Sequence, residues 1–246
     1  MSALAPPNPK APIDYPDSDG LPMSDNTVQF TWIAILMWSA EAYFRNRPDV
    51  FVAGDHLIYP VEGQPDIRQA PDVYVAFGRP KGDRGSYKVW EEGGLFPQVV
   101  FEVWSPNNRY TQMQKKFEFY ERYGVEEYYI VYPEFPAHAE GWQREGGKLV
   151  SVPEMNGFTS PRLGFRFVLG WGQLAVFGPD GRQLRSPSEI AAERDAAEQA
   201  KDAAEQAKDA AEQAKDAAER TLAAEREQVA KLLARIRELG GDPNGV

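Results

Sequence analysis

Residues 96–108 read Phe-Pro-Gln-Val-Val-Phe-Glu-Val-Trp-Ser-Pro-Asn-Asn, and Glu102 is the only charged group among them. Its immediate surroundings, residues 99–104, have the composition of a buried strand. An ionised carboxylate placed there without a partner costs several kcal/mol, on the order of what a small domain has to spare. Two readings follow. In one, Glu102 is a buried acid neutralised by an Arg, a Lys or backbone donors. In the other, it is a ligand for a divalent cation. Asp72 favours the second reading, because it follows Pro71 and opens a further strand-like run, Val-Tyr-Val-Ala-Phe. Alternate side chains of a strand share a face, so Glu102 points with Val100 and Trp104 and away from Val103. If the two strands are neighbours, Asp72 and Glu102 converge. Two carboxylates and a main-chain carbonyl form a hard-oxygen site suited to Mg²⁺ or Mn²⁺.

The elements that would hold these acids can be read from periodicity. Ser24 or Asp25 can cap a helix starting at Asn26, whose Phe30, Ile33, Leu36, Met37, Ala40, Tyr43 and Phe44 keep helical spacing until Pro48. Strand-like segments follow at 50–53, 57–59, 73–77 and 86–90, with a basic loop at 78–85, and then at 99–104. Asn107 or Asn108 can cap a second helix over 110–123, closed by Gly124 in the left-handed position. Residues 127–132 form the next strand. Strand, helix and strand with short joints imply a crossover between parallel strands, which are covered on both faces. Short strands with glycine turns occupy 141–184, where hairpins are expected.

Composition excludes several chemistries. There is no Cys, which removes disulfides, thiolate catalysis and Cys-based zinc sites. The only histidines are His56 and His138, too few for a multi-histidine metal centre, and both suit ordinary polar environments. The longest apolar run, 32–40, is about half the ~20 residues needed to cross a bilayer. Residues 1–10 lack the order of a signal peptide, so a cytoplasmic protein away from the membrane is expected. The net charge of −10 is shared equally: residues 188–246 hold 14 acids and 9 bases, and the remainder 23 and 18. Neither part is a basic nucleic-acid binder in bulk, so any phosphate contact must come from a local patch or a metal.

Residues 1–22 contain six of the 20 prolines and read as an extended arm. Residues 23–187 form the main domain. Residues 188–240 differ: Ala-Ala-Glu-Gln-Ala-Lys-Asp repeats every seven residues from Ala196, and Lys201–Glu205, Lys208–Glu212 and Lys215–Glu219 are (i, i+4) pairs. Val229, Leu232, Ile236 and Leu239 continue as a more apolar seam, and Gly240-Gly241 ends the helix before a short tail, 241–246. A coiled coil that makes the chain a homo-oligomer, a dimer in the simplest case, competes with a solvated single helix.

At this point the chain resembles a known family. The segments are Y-P-D-S-D-G-L-P-M-S-D-N, F-V-A-G-D-H-L-I-Y-P, A-P-D-V-Y-V-A-F-G, S-Y-K-V-W-E-E-G, V-F-E-V-W-S-P-N-N and K-F-E-F-Y-E-R-Y-G-V-E-E-Y-Y-I-V-Y-P, in that order. They are similar to the Uma-two family of putative restriction endonucleases, within the PD-(D/E)XK nuclease superfamily, over about residues 15–180. The resemblance implies an α/β fold, a restriction-endonuclease-like mixed sheet flanked by helices, with a core of helix, three strands, helix and strand. It places the family motif on Pro71-Asp72 and on Glu102-Val103-Trp104. The superfamily usually carries a lysine where Trp104 stands. The resemblance moves that role to the following helix, to Lys116, with Lys115 a poorer candidate. Gln112 stands where many relatives carry Asp.

The implied activity is endonucleolytic hydrolysis of DNA. Asp72, Glu102 and the Val103 carbonyl would hold one or two Mg²⁺ (or Mn²⁺), and Lys116 would orient or help deprotonate the attacking water. Arg79, Lys81, Arg84, Lys88, Arg109 and Lys115 are the candidates for contact with the DNA backbone. Glu91 and Glu92 read as surface charges, Tyr120 as core, and Glu41 as a remote candidate for a further carboxylate. The alternative is a catalytically inactive nuclease-fold scaffold or binding module oligomerised by its C-terminal helix, motivated by Trp104 and the acidic charge.

Overall fold

The apolar runs around Asp72 and Glu102 become inner strands of one sheet. In the computed structural model, which describes residues 13–20 and 22–239, the regular elements begin with α1 (Thr27–Tyr43), β1 (Val50–Ala53), β2 (Ile58–Tyr59), β3 (Val73–Phe77) and β4 (Tyr87–Lys88). They continue with β5 (Val99–Val103), α2 (Tyr110–Tyr123), β6 (Glu127–Tyr132), β7 (His138–Glu145) and β8 (Lys148–Ser151). Last come β9 (Arg166–Gly170), β10 (Gln173–Phe177) and α3 (Pro187–Glu238). Six strands form a mixed sheet in the order β1-β3-β5-β6-β7-β8. β5 and β6 are parallel and are joined through α2, while every other neighbouring pair is antiparallel. The first unit is a mixed α/β sheet with flanking helices, and a long C-terminal helix follows it in the chain.

Every residue of β5 is buried, because each face of the sheet carries its own core. On one face Ile33, Leu36 and Ala40 from α1 and Phe44, which caps it, meet Val73, Val75, Phe101 and Val103, together with Phe167 and Val176 of the β9–β10 hairpin. On the other, Met113 and Tyr120 of α2 meet Tyr74, Val100, Tyr128 and Ile130. Each fully buried aliphatic side chain contributes about 1.5–3 kcal/mol. The parallel β5–β6 pair therefore sits where a continuous apolar strand is the economical sequence.

Several boundaries differ from the sequence expectation. The segment expected as strand 86–90 is a strand only at Tyr87–Lys88, because Glu91, Glu92 and Gly94 fold back onto the carbonyls of Lys88 and Val89. It pairs in parallel with β2, in a two-stranded sheet of its own. The cap of α1 is Asn26, whose side chain accepts from the Gln29 N–H at 2.8 Å, rather than Ser24 or Asp25. The cap of α2 is Arg109. Its N–H donates to Gln112 Oε1, while Asn108 Oδ1 is held by the Ser105 N–H. Gly124 closes α2 at φ 97°, in the left-handed conformation that glycine accepts without strain.

The expected arm is partly tied down. Tyr15 packs on Tyr59 and Trp90 with ring centroids 5.2 and 5.0 Å away, and the Tyr59 hydroxyl donates to the Pro16 carbonyl at 2.6 Å. Residues 1–12, the Gly240-Gly241 helix stop and the 241–246 tail lie outside the described residues.

The chain divides into two compact units, Met1–Pro187 and Ser188–Val246. In the second, α3 is one helix of 52 residues with no buried side chain. Of the expected (i, i+4) pairs, Lys215 and Glu219 approach to 4.0 Å. Among the described residues no helix is long and apolar enough to cross a membrane.

Candidate active site

Strand register brings the two acids together. β3 and β5 are antiparallel with Val73 opposite Phe101, and one further step in that register sets Asp72 against Glu102. Asp72 Oδ2 accepts the Val103 N–H at 2.6 Å, so the strand that carries Glu102 also fixes Asp72. Glu102 is 1% exposed. Lys116, from the second turn of α2, donates to Glu102 Oε2 at 2.6 Å and to the Ala70 carbonyl at 3.3 Å. Tyr120, one turn further on and fully buried, donates to Glu102 Oε1 at 2.7 Å. Tyr120 is thus core, as its spacing implies, and also a donor to the buried acid.

Electrostatics follow from this packing. Asp72 is raised from 3.8 to about 7, first by burial and then by the Glu102 charge, with Lys116 and the Val103 N–H opposing. Burial alone would lower Lys116, but Glu102 and Asp72 outweigh it and hold its ammonium above the ordinary value. The Tyr120 hydroxyl is pushed well up by burial and by Glu102. One ammonium therefore faces two acids, and the balance is short of positive charge.

A cleft of about 420 Å³ opens on this cluster and is lined by Asp72, Lys116, Lys115, Gln112, Asp55 and Gln29, among others. Two of these were not singled out from sequence. The Gln29 amide donates to the Val103 carbonyl at 2.9 Å, and its signal was an amide side chain within a helical stretch, 28–38, whose other residues are apolar except Thr31. The Asp55 N–H donates to the carbonyls of Pro71 and Asp72. Its neighbour Gly54 lies so close to β3 that a Cβ would stand 2.7 Å from the Asp72 carbonyl oxygen, so no larger residue fits without a shift. The Asp55 carboxyl is raised by burial and by Asp19, which also lines the cleft. The pair Gly54-Asp55 at the end of β1 was the available signal.

The candidate DNA contacts are dispersed. Lys115 lines the cleft, and Arg109 is exposed at the start of α2. Arg84 is engaged within the domain: its side chain is 13% exposed, and its guanidinium pairs with Glu92 at 2.5 Å and lies 4.0 Å over the Phe51 ring. Glu92, expected at the surface, is 12% exposed, because the turn after β4 folds it under the basic loop. Arg79 donates to the Glu92 carbonyl at 2.8 Å, Lys81 pairs with Glu41 at 2.7 Å, and Lys88 approaches Glu91 at 3.4 Å. Much of the loop's charge is therefore spent within the domain. His56 is buried between the Tyr74 hydroxyl and the Arg84 carbonyl, and His138 stacks on Tyr132.

The donor set fits a divalent cation of the Mg²⁺ type. Asp72 and Glu102 each retain acceptor capacity beyond the bonds described, and the Val103 carbonyl has a second lone pair besides the one taken by Gln29. Among the described residues no group of three or more His, Cys, Asp or Glu side chains is arranged around a metal position. The protein share is then two carboxylates and a carbonyl, which suits a cation that keeps several waters.

A mixed sheet with paired acids on adjacent strands and an amine from the following helix has the layout of the restriction-endonuclease-like class. Residues 13–169 match the family model Uma2, described as "Putative restriction endonuclease", and the chain belongs to that family. No curated protein matches the chain. A solved structure described as a "putative nuclease belonging to DUF820" from Anabaena variabilis ATCC 29413 is 11% identical, with a TM-score of 0.41 over 55% of this chain and 72% of that one.

Proposed function

We propose that this chain is a metal-dependent DNA endonuclease whose centre is Asp72, Glu102 and Lys116. The observation that carries the reading is the 2.6 Å contact between Lys116 and Glu102, with Asp72 on the adjacent strand. It supplies from α2 the amine that Trp104 cannot provide from β5. Asp72, Glu102 and the Val103 carbonyl would hold Mg²⁺ or Mn²⁺, which supplies a water acidic enough to attack and positive charge for the phosphate. Asp72 and Glu102 are oriented by the Val103 N–H and the Tyr120 hydroxyl. Lys116, held protonated by its two acids, acts as a fixed positive charge and donor beside the scissile phosphate. Lys115, which lines the cleft, and Arg109, exposed at the start of α2, are the basic residues we assign to phosphates of the bound strand. With either cation, the protein is expected to nick plasmid DNA, and Asp72→Asn and Glu102→Gln are each expected to remove the activity. Cleavage that survives both changes, followed on agarose gels, excludes the assignment.

The second unit is proposed to pair two copies. Val229, Leu232 and Ile236 on α3 and Leu239 just past its end are 42–74% exposed and repeat at alternating intervals of three and four residues. Light scattering is expected to report a dimer for residues 1–246 and a monomer for residues 1–187. Equal mass per particle relative to chain mass in both excludes pairing through α3.

A further inference from the structure

Two residues beyond Glu102, just past the end of β5, stands Trp104, whose N–H continues the ladder to the Val131 carbonyl at 2.8 Å and whose ring begins a row that runs on across β6 and β7. The Trp104 ring lies tilted against Tyr132 of β6, with centroids 5.5 Å apart and planes at 31°, and Tyr132 stacks on His138 of β7 at 4.2 Å and 5°. The register explains the alignment. Val103 lies opposite Val131 and Tyr132 opposite His138, so the three rings occupy successive places in one cross-strand row. The preceding row on that face is Glu102, Ile130 and Glu140, and Glu140 accepts the Tyr132 hydroxyl at 2.9 Å. The interior of the fold accounts for Trp104 and Tyr132 only in part, since both remain partly exposed, and the terminal ring, His138, is exposed. A cross-strand aromatic row stabilises a sheet wherever it occurs. A purely structural row would, however, need no planar ring at its outer end, and this one begins about 7 Å along the strand from the buried acid, on the order of two nucleotide rises. Ser105, Asn107 and Asn108 connect Trp104 directly to the wall of the cleft.

We propose that Trp104, Tyr132 and His138 form a stacking platform for unpaired nucleobases, with an incoming base resting on His138. Any base presents a π-face, so such a platform reads strandedness rather than sequence. The inference rests on the nuclease reading and deepens it: the substrate is DNA with a single-stranded segment beside the scissile bond, not uninterrupted duplex. It also gives Trp104 a purpose at the position where the superfamily places a lysine. The local charge agrees with this limited role. The charge beside the row that the register fixes is the acid Glu140, so binding there draws on stacking more than on phosphate neutralisation.

The test uses the full chain in chelator, where nothing is cut, and reads fluorescence anisotropy of labelled oligothymidylate against a duplex of equal length. Oligothymidylate is expected to bind more tightly. His138→Ala is expected to weaken it about 5- to 100-fold while leaving duplex binding unchanged and lowering the melting temperature only slightly, and His138→Phe to restore it. Equal affinity for the two DNAs, or His138→Phe behaving like His138→Ala, overturns the platform. Tighter binding of oligouridylate overturns DNA as the source of the base. A parallel cleavage assay with Mn²⁺ compares plain duplex with the same duplex bearing a single-stranded flap. Flap preference that His138→Ala removes supports the platform. Equal cutting of both overturns the platform and leaves the nuclease standing. No cutting of either, with oligothymidylate binding intact, overturns the nuclease reading alone.

Discussion

Lys116→Met is expected to lower single-turnover cleavage by about 10²–10⁴-fold and, without metal, to destabilise the fold by about 3 kcal/mol. Both effects have one cause. Glu102 is buried and its two oxygens are held by Lys116 and Tyr120. Removing the ammonium leaves a carboxylate with one neutral donor in a site that water barely reaches, and breaking a buried pair costs more than the pair ever contributed. Methionine keeps most of the side-chain volume, so lost packing adds little. A rapid-mixing assay with Mn²⁺ measures the first effect, and urea denaturation in chelator the second. If Mn²⁺ recovers the stability of the variant but not its cleavage, the ammonium is catalytic as well as structural. Full cleavage by Lys116→Met removes it from the centre.

The parts of the fold that could be read ahead were those with long, unbroken periodicity. Residues 99–132 switch from an apolar run to helical spacing and back, and they fold as β5, α2 and β6 with Gly124 as the stop. The pairing of Asp72 with Glu102 was legible for the same reason. Each acid sits at a fixed point of an apolar strand, and one assumption, that the strands are neighbours, brings them together. What could not be read depended on contacts distant in sequence. β2 and β4 have two residues each, too few for any alternation to register. Gln29 is 74 residues from the carbonyl it holds, and nothing local to it specifies that partner. Arg84 and Glu92 look like surface charges in a polar loop, because local composition is silent about a turn that folds one beneath the other.

Without metal, the stability of the protein is expected to fall as pH rises from about 4 to about 7, and Asp72 is the group responsible. Its carboxyl is raised to about 7 by burial and by Glu102, whereas in the unfolded chain it titrates near 3.8. Between those values the folded state holds a proton that the unfolded state has released. The linkage relation then makes the slope of stability against pH negative, and the full stabilisation is present only below the unfolded pKa. Allowing for the partial solvent access of Asp72, the loss is on the order of 3 kcal/mol. Asp49 and Glu121 are lowered by Arg47 and Lys148, respectively, and act in the opposite direction at acid pH, so the informative quantity is the difference between wild type and Asp72→Asn. Asparagine cannot ionise, and the variant is expected to be the more stable of the two at pH 8 in chelator. Adding Mg²⁺ at pH 8 is expected to reverse the order, because a cation between Asp72 and Glu102 meets the same excess of negative charge that the proton relieves at lower pH. Urea midpoints across pH 4–8, with and without Mg²⁺, read both effects. Parallel curves for the two proteins in chelator would exclude a raised carboxyl at Asp72. A Mg²⁺ shift of equal size in the variant would move the cation elsewhere.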